Sequence, residues 1–464
     1  MWSKIVRFSL VLELVLSCLS AVATAQTSTP TSPAAAVGLS GFGMPLPGLA
    51  RADLQAFVTG QFNFTEVDSL PRLGPLFNAR SCAGCHFQPA LGGSGQAINE
   101  LRIRNSTTGG PLHIFASDNI LRGGAQLQGQ TAIFDTGLEA SPLGCQITSP
   151  GCQLSTCQVL EAAVKTFSTN LPICDPTSMS FQNGDNCVGE RQATPLFGFG
   201  LVEAVSDNAL QALASLEPAS VRGTAKIVTE LGAQRVGRFG WKDDHATLRG
   251  FSGDAYLNEV GITNFDNPNE ISTCALNQLQ FGVALDVADD PEDLPDQTGR
   301  SDVDRFSDFM RASAPPPQLP DTTSSNHGAL VFLKSGCAGC HTPTLVTAKN
   351  PGAFIPPTTG GVPVSSTLVQ SLSSVAFHPF SDFLLHDMGS LGDGITSGAA
   401  GPTMIRTAPL WGVRAKSRLL HDGRAEDVPT AISLHDGQGK AAAQAFQALS
   451  AGDRSDLLNF LGSI

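Results

Sequence analysis

Apolar positions recur at helical spacing in several parts of the chain, most clearly near its end. Residues 442–449 and 457–461 have the period of amphipathic helices, and Ser450 and Asp453 stand in capping-box spacing before the second. Asn326 is a candidate cap for a further helix through 330–333. Since strict alternation never extends far enough for a sheet core, the pattern predicts a mainly α fold.

The first residues have the layout of a secretory signal peptide. Lys4 and Arg7 precede an apolar run at 8–19, and the small residues 23–25 follow it. The run falls short of the roughly 20 residues that span a bilayer. We expect cleavage after residue 25 and a periplasmic or secreted protein; lipidation at Cys18 is an alternative. No later segment resembles a transmembrane helix.

Length and charge narrow the architecture and the partners. The 464 residues predict two domains: 26–313, with a Cys-rich insertion and long loops, and 318–464, separated by a Pro-rich linker. The 48 Gly and 30 Pro agree with many loops. With 28 basic against 41 acidic residues, nucleic acid is not an expected partner.

The cysteines predict disulfides as well as a cofactor. Eleven are present, of which Cys18 belongs to the predicted signal and four belong to two CxxCH motifs. The remaining six fit three disulfides in an exported chain, with the pairing left open. A metal cluster is less favoured because 145–187 contains no CxxC pair. The six are Cys145, Cys152, Cys157, Cys174, Cys187 and Cys274.

The sequence CAGCH occurs at 82–86 and again at 337–341. A c-type haem needs two thiols that reach its vinyl groups and an imidazole next to the second thiol to bind the iron. A thioredoxin-like pair would not explain the histidine in both copies, and a zinc site would need ligands from two distant places. We therefore predict two covalently bound haem c groups in two cytochrome c-like domains. Their ligands are Cys82, Cys85 and His86, and Cys337, Cys340 and His341.

Seven segments from about residue 60 to the end form a specific combination: LGPLFNARSCAGCHFQPALGGSG, TPLFGFGLVEAV, GRFGWKDDHATL, GITN, SDFLLHDMG, RTAPLWG and LLHDGRA. Together they resemble the di-haem oxidoreductase family of peroxidase-like proteins, also called thiol oxidoreductase-like. More distantly, GRFGWKDDHATL and RTAPLWGVRAKSRLLHDGR resemble segments of bacterial di-haem cytochrome c peroxidases and of the related enzyme that matures methylamine dehydrogenase. The resemblance implies that the N-terminal haem meets peroxide and the C-terminal haem receives electrons.

The peroxidases carry a Trp between their haems, a Gln ten residues later and a catalytic Glu ten beyond that. Trp241 matches the first position, but the others are Phe251 and Gly261, with Glu259 two residues before Gly261. The resemblance thus implies roles for Trp241 and, with a shift, for Glu259. The alternatives are a core aromatic residue and a solvated helix residue.

Two further residues are candidates near the first motif. Glu203 lies in the apolar stretch 199–203, where burial would suit a proton carrier, although it could instead pair with Arg191 or Arg238. His113 is the default second ligand of the first haem if that iron is six-coordinate; a surface or core histidine is the simpler interpretation.

Four candidates could complete the second haem: His386, Met388, Met404 and His421. The resemblance to the peroxidases implies Met404, whose thioether would raise the reduction potential as an electron-accepting haem requires. A tyrosine ligand is disfavoured because the single tyrosine, Tyr256, lies in the other half.

An acidic cluster could bind Ca²⁺, which the peroxidases hold between their halves, although a solvated loop is the simpler interpretation in the absence of EF-hand spacing. Its members are Asp286, Asp289, Asp290, Glu292, Asp293 and Asp296. We expect a periplasmic di-haem enzyme that reduces peroxide with electrons from a small redox protein, a cytochrome c or a cupredoxin. A pure electron carrier and an enzyme for thiols or other sulfur compounds are the alternatives.

Overall fold

The computed structural model describes residues 39–67, 81–95, 100–104, 111–116, 174–177, 187–268 and 292–464. The predicted signal peptide and Cys18 lie outside these ranges. Four of the candidate disulfide cysteines also lie outside them: Cys145, Cys152, Cys157 and Cys274. The same holds for three members of the acidic cluster, Asp286, Asp289 and Asp290, and for the side chain of His113.

Helices form most of the regular structure in the described part. They are α1 Arg51–Thr65, α2 Phe199–Glu203, α3 Asp207–Leu216, α4 Leu248–Ala255, α5 Asp302–Ala312, α6 Thr323–Lys334, α7 Ser366–Ser371, α8 Val428–Ser433, α9 Lys440–Gln447 and α10 Ala451–Leu461. A single π-helical turn, Tyr256–Val260, continues α4. The mainly α prediction is confirmed for the described residues.

The strands are short and form small antiparallel sheets. They are β1 Glu100–Arg104, β2 Pro111–Ala116, β3 Cys187–Arg191, β4 Ile227–Glu230, β5 Ala233–Val236, β6 Leu345–Val346, β7 Ala376–Phe377, β8 Leu385–Asp387 and β9 Met404–Arg406. The first three strands pair in the order β2-β1-β3. The others form three two-stranded sheets, β4-β5, β6-β7 and β8-β9.

Of the two helix caps that the sequence predicted in the C-terminal region, one is confirmed and one is wrong. The Ser450 hydroxyl accepts the Asp453 N–H at 3.1 Å and donates to its carboxylate at 2.9 Å, so the predicted cap of α10 is confirmed. The predicted Asn326 cap is wrong. Thr322 caps α6 by accepting the Ser325 N–H at 3.0 Å, which leaves Asn326 inside the first turn.

Two hydrophobic clusters each contact one CxxCH motif. In the first, α1 packs on α5 through Phe57, Phe64 and Phe309, and Cys82 lies against it. In the second, α6 packs on α10 and Cys337 lies against the cluster. The described residues from 41 onwards belong to one compact unit. The domain boundary between 313 and 318 stays a prediction.

Among the residues that the structure describes, a disulfide joins Cys174 and Cys187, which confirms part of the predicted framework. The Cα atoms of the two cysteines are 4.9 Å apart. Within the described ranges, every helix is too short or too polar to cross a membrane.

Candidate functional site

The first CAGCH motif forms a tight 3₁₀ turn, Cys82–Gly84, closed by the His86 N–H donating to the Cys82 carbonyl at 3.1 Å. The His86 Nδ1–H donates to the Gly93 carbonyl at 3.0 Å. A β-carbon at Gly93 would lie 1.7 Å from the Gln88 carbonyl oxygen, so only glycine fits there. Burial lowers the pKa of His86 to about 4 and keeps the ring neutral.

The second motif repeats this arrangement on different surroundings. Cys337–Gly339 forms the turn, and the His341 N–H donates to the Cys337 carbonyl at 3.0 Å. The His341 Nδ1–H donates to the Phe380 carbonyl at 3.0 Å. Burial, and then the nearby His435, lower the pKa of His341 to about 4.

Both motifs fit a covalently attached haem. A histidine that binds a metal usually donates its other ring N–H to a carbonyl or carboxylate, and it binds in the neutral form. His86 and His341 meet both conditions. The four motif cysteines are half-buried thiols outside any disulfide, so they are available for thioether bonds.

Each motif opens into its own cavity. The first, about 140 Å³, is lined by Cys82, Cys85 and His86, and the second, about 330 Å³, by Cys337, Cys340 and His341. Phe64 of α1 contacts His86 edge-on, with ring centroids 6.0 Å apart. The two motifs therefore have separate sites and do not share one.

Trp241 lines both cavities. Its side chain is only 7% exposed, and its Nε1–H donates to the Gln192 carbonyl at 2.8 Å. The Arg406 guanidinium lies 5.6 Å from its ring centroid, which adds a cation–π contact. The indole therefore has a fixed position between the two sites.

Buried ion pairs hold the backbone on both sides of this position. Lys242 and Arg191 both bind the Asp393 carboxylate at 2.7 Å. The two cations lower the pKa of Asp393 to about 2, although burial alone would raise it. Breaking a buried pair of this kind costs about 3–5 kcal/mol, so the network stabilises the indole in place.

Glu259 lies in the π-helical turn and lines the first cavity. Burial and then the Glu259 carboxylate raise the pKa of the Cys85 thiol to about 12, which places the carboxylate near this motif cysteine. π-Helical turns occur frequently at functional sites. The position is half-buried, so Glu259 is not a fully solvated helix residue.

His245 also lines the first cavity, and the sequence analysis missed it. Its Nδ1 is 2.9 Å from Glu230 and its Nε2 is 3.3 Å from Asp254. Burial alone would lower the pKa of His245, but the two carboxylates outweigh it and raise the pKa to about 10. In the sequence, His245 could have been noticed only because it lies four residues after Trp241. Its two carboxylate partners, Glu230 and Asp254, lie in other elements and could not be paired with it from spacing.

Glu203 is fully buried, but its predicted partners are wrong. It binds Arg311 of α5 at 2.6 Å and accepts the Leu248 N–H at 2.7 Å. Arg191 binds Asp393 instead, and Arg238 binds Asp207, because α5 brings Arg311 directly against α2. Glu203 lines neither cavity. Its catalytic role stays a prediction.

Three of the four candidate ligands for the second haem line its cavity, and one does not. His386, Met388 and His421 line the second cavity, whereas Met404 does not. His386 has both ring nitrogens engaged, with Nε2 2.9 Å from Asp382 and Nδ1 3.5 Å from the Cys340 sulfur. One further histidine, His435, also lines this cavity and was missed by the sequence analysis.

The described members of the acidic cluster have structural partners. Glu292 accepts the Phe265 and Val303 N–H groups at 3.0 and 3.1 Å. Asp296 accepts the Thr298 N–H at 2.7 Å and pairs with Arg305. Ca²⁺ binding by this cluster stays a prediction.

Comparisons with known proteins give a family match and likenesses to solved structures, among them a hydrazine synthase and a MauG-like protein. The family described as di-haem oxidoreductase, putative peroxidase, matches residues 170–464. No curated protein sequence matches the chain.

Both structural likenesses are distant. Hydrazine synthase from Kuenenia stuttgartiensis, solved under xenon pressure, is 15% identical with a TM-score of 0.23, over 35% of this chain and 55% of that one. The chain thus spans about half the length of that protein. A MauG-like protein associated with microbial copper homeostasis is 13% identical with a TM-score of 0.26, over 58% of this chain and 88% of that one. On the family match, which covers more than half of its length, this chain belongs to the di-haem oxidoreductase family, as its motifs predicted.

Proposed function

We propose that this chain is a periplasmic di-haem c-type oxidoreductase that reduces a peroxide at its N-terminal site with electrons received through its C-terminal site. The observation that carries the proposal is the position of Trp241, which lines the cavities of both motifs. A molecule with two separate sites and one fixed aromatic ring between them suits electron transfer from one site to the other.

The CAGCH residues would hold the two haems. Cys82 and Cys85 would form thioether bonds at the first site, with His86 on the iron, and the corresponding residues of 337–341 would do so at the second. Bound haem supplies one-electron chemistry and an iron able to meet peroxide. The backbone carbonyls on the Nδ1 atoms of His86 and His341 orient both imidazoles.

Peroxide reduction to water consumes protons as well as electrons, so the first site needs an acid/base group. Glu259 and His245 both line that cavity. With its pKa raised to about 10, His245 carries a proton at neutral pH, and its two ring nitrogens face Glu230 and Asp254, so it places a positive charge beside the cavity. Glu259, near the attachment cysteine Cys85, is the candidate for moving protons at the substrate.

The location and the partners follow from the sequence. Haem attachment and disulfides fit an exported protein, and residues 1–25 resemble a cleaved signal. Residues 318–464, proposed as a cytochrome c domain, would accept electrons from a small redox protein such as a cytochrome c or a cupredoxin.

The test combines intact mass with turnover. The exported protein should exceed its processed polypeptide mass by two haems, while C82A/C85A and C337A/C340A should each lose one. Peroxide should be consumed by the parent protein with a reduced cytochrome c as donor, and by neither variant. Two haems without any peroxide turnover would indicate a pure electron carrier or an enzyme for a sulfur compound.

A further inference from the structure

We propose that His435 is the second axial ligand of the iron at the C-terminal motif, so that His341 and His435 hold this haem between two imidazoles. The inference rests on haem attachment at 337–341, as part of the proposed function, and does not depend on the substrate. It differs from the methionine ligand that the resemblance implies.

The distance between the two rings carries the inference. The ring centroids of His341 and His435 are 6.4 Å apart. A nitrogen–metal bond of about 2 Å for each ring puts the centroids of two imidazoles on opposite sides of one metal ion roughly 6 to 6.5 Å apart. The planes of the rings differ by 55°, which is compatible because rotation about the bond axis leaves this distance unchanged.

Hydrogen bonding leaves the same atom of each ring for a metal. His435 Nδ1–H donates to the Ala431 carbonyl at 2.8 Å, as His341 Nδ1–H does to Phe380. Neither Nε2 has a hydrogen-bond partner among the residues that the structure describes.

The segment that carries His435 is fixed on the cavity wall. The Asp436 carboxylate accepts the Ser390 hydroxyl at 2.7 Å, and Gln438 accepts the Asp387 N–H at 2.9 Å. Gly437 has φ +54°, and a β-carbon there would lie 2.3 Å from the Asp387 carbonyl. The turn after His435 therefore requires glycine and sets the direction of the imidazole.

The competing ligands are less well placed. Met404 does not line the cavity, and both nitrogens of His386 are engaged. The His421 ring packs edge-on against Trp241. Met388 lines the cavity and is the remaining competitor, but the spacing of two carbonyl-bonded imidazoles is a more specific feature than its presence there.

The parent protein, with both haems confirmed by mass, tests the inference by near-infrared magnetic circular dichroism and redox titration. We expect a two-imidazole, low-spin signature for one haem. In H435A, the haem bound at 337–341 should lose that signature, and added imidazole should restore it. In H435M, a sulfur-to-iron band should appear and the potential of that haem should rise.

M388L and M404L are the matched controls, and we expect each to keep the parent spectrum. A parent sulfur-to-iron band that disappears in either control, or an unchanged spectrum in H435A, would overturn the inference while leaving the proposed function intact. Absence of haem at the second motif would overturn both. Because the parent spectrum alone separates imidazole from sulfur, a variant that fails to fold does not remove the test.

Discussion

The indole of Trp241 packs edge-on against the imidazole of His421, with ring centroids 6.2 Å apart. His421 lines the second cavity, and Trp241 lines both. The contact therefore joins the C-terminal site to the one aromatic residue that also reaches the N-terminal site within the described part of the chain. The His421 backbone carbonyl accepts the Gln192 N–H at 2.6 Å, and the Gln192 carbonyl accepts the indole N–H, so one residue bonds to both the His421 backbone and the Trp241 ring.

Replacing Trp241 with Phe should slow electron transfer to the first haem by at least about tenfold, because the smaller ring opens the space between the cavities. The axial ligands should not change, since Trp241 bonds only to a backbone carbonyl. Stopped-flow reoxidation of the second haem measures this rate. W411F is the control: Trp411 is buried, its indole N–H has no hydrogen-bond partner in the described part, and it lines neither cavity. Equal rates in W241F and W411F would exclude a role for Trp241.

Glu259→Gln should lower peroxide turnover by about 10² to 10⁴, the usual contribution of a positioned acid/base group. The amide keeps the size of the side chain but cannot transfer a proton in the same way. Steady-state kinetics with a saturating donor measures the effect. Glu426→Gln, at an exposed surface position, is the control. Full activity in the Glu259 variant would move this role to His245.

His245 should make the protein less stable at alkaline pH. Glu230 and Asp254 raise its folded pKa to about 10 from the usual value of 6.5. The stabilisation is therefore complete below the unfolded pKa and is lost as the pH rises through the folded pKa. Denaturant midpoints of the parent and H245Q, measured from about pH 6 to about pH 10, should differ most at the acidic end. Parallel curves would show that the carboxylates do not hold the proton.

The Glu203–Arg311 pair should contribute to stability. Glu203→Gln leaves Arg311 buried with only the Asp308 carboxylate, 3.9 Å away, and should cost about 3–5 kcal/mol. The double replacement E203L/R311M should recover much of that loss, because it removes both buried charges. Urea unfolding measures both. A stable Glu203→Gln variant with abolished turnover would instead support the proton carrier suggested by the sequence.

Local sequence signals predicted the parts of this molecule that depend on neighbouring residues. Each CAGCH turn and the Ser450 cap are formed by residues only a few positions apart, so the spacing of those residues is enough to predict them. The same reasoning chose Asn326 as a cap, although Thr322 has the extended backbone that a cap requires.

The residues that sequence reasoning missed depend on contacts between distant elements. Arg311 reaches Glu203 across 108 positions, which composition and spacing cannot indicate. His435 faces His341 only because the chain between them folds around the second cavity. The family resemblance directed attention to Met404 because it compares positions along the chain and not distances.

The most direct test of the proposed function is to mix the half-reduced protein, with only the haem bound at 337–341 reduced, with hydrogen peroxide in a stopped-flow spectrometer. We predict that peroxide is consumed while the haem bound at 337–341 is oxidised, and that the first haem changes its spectrum before or during that oxidation. Two low-spin haems that do not respond to peroxide would contradict the proposal and identify the chain as an electron carrier.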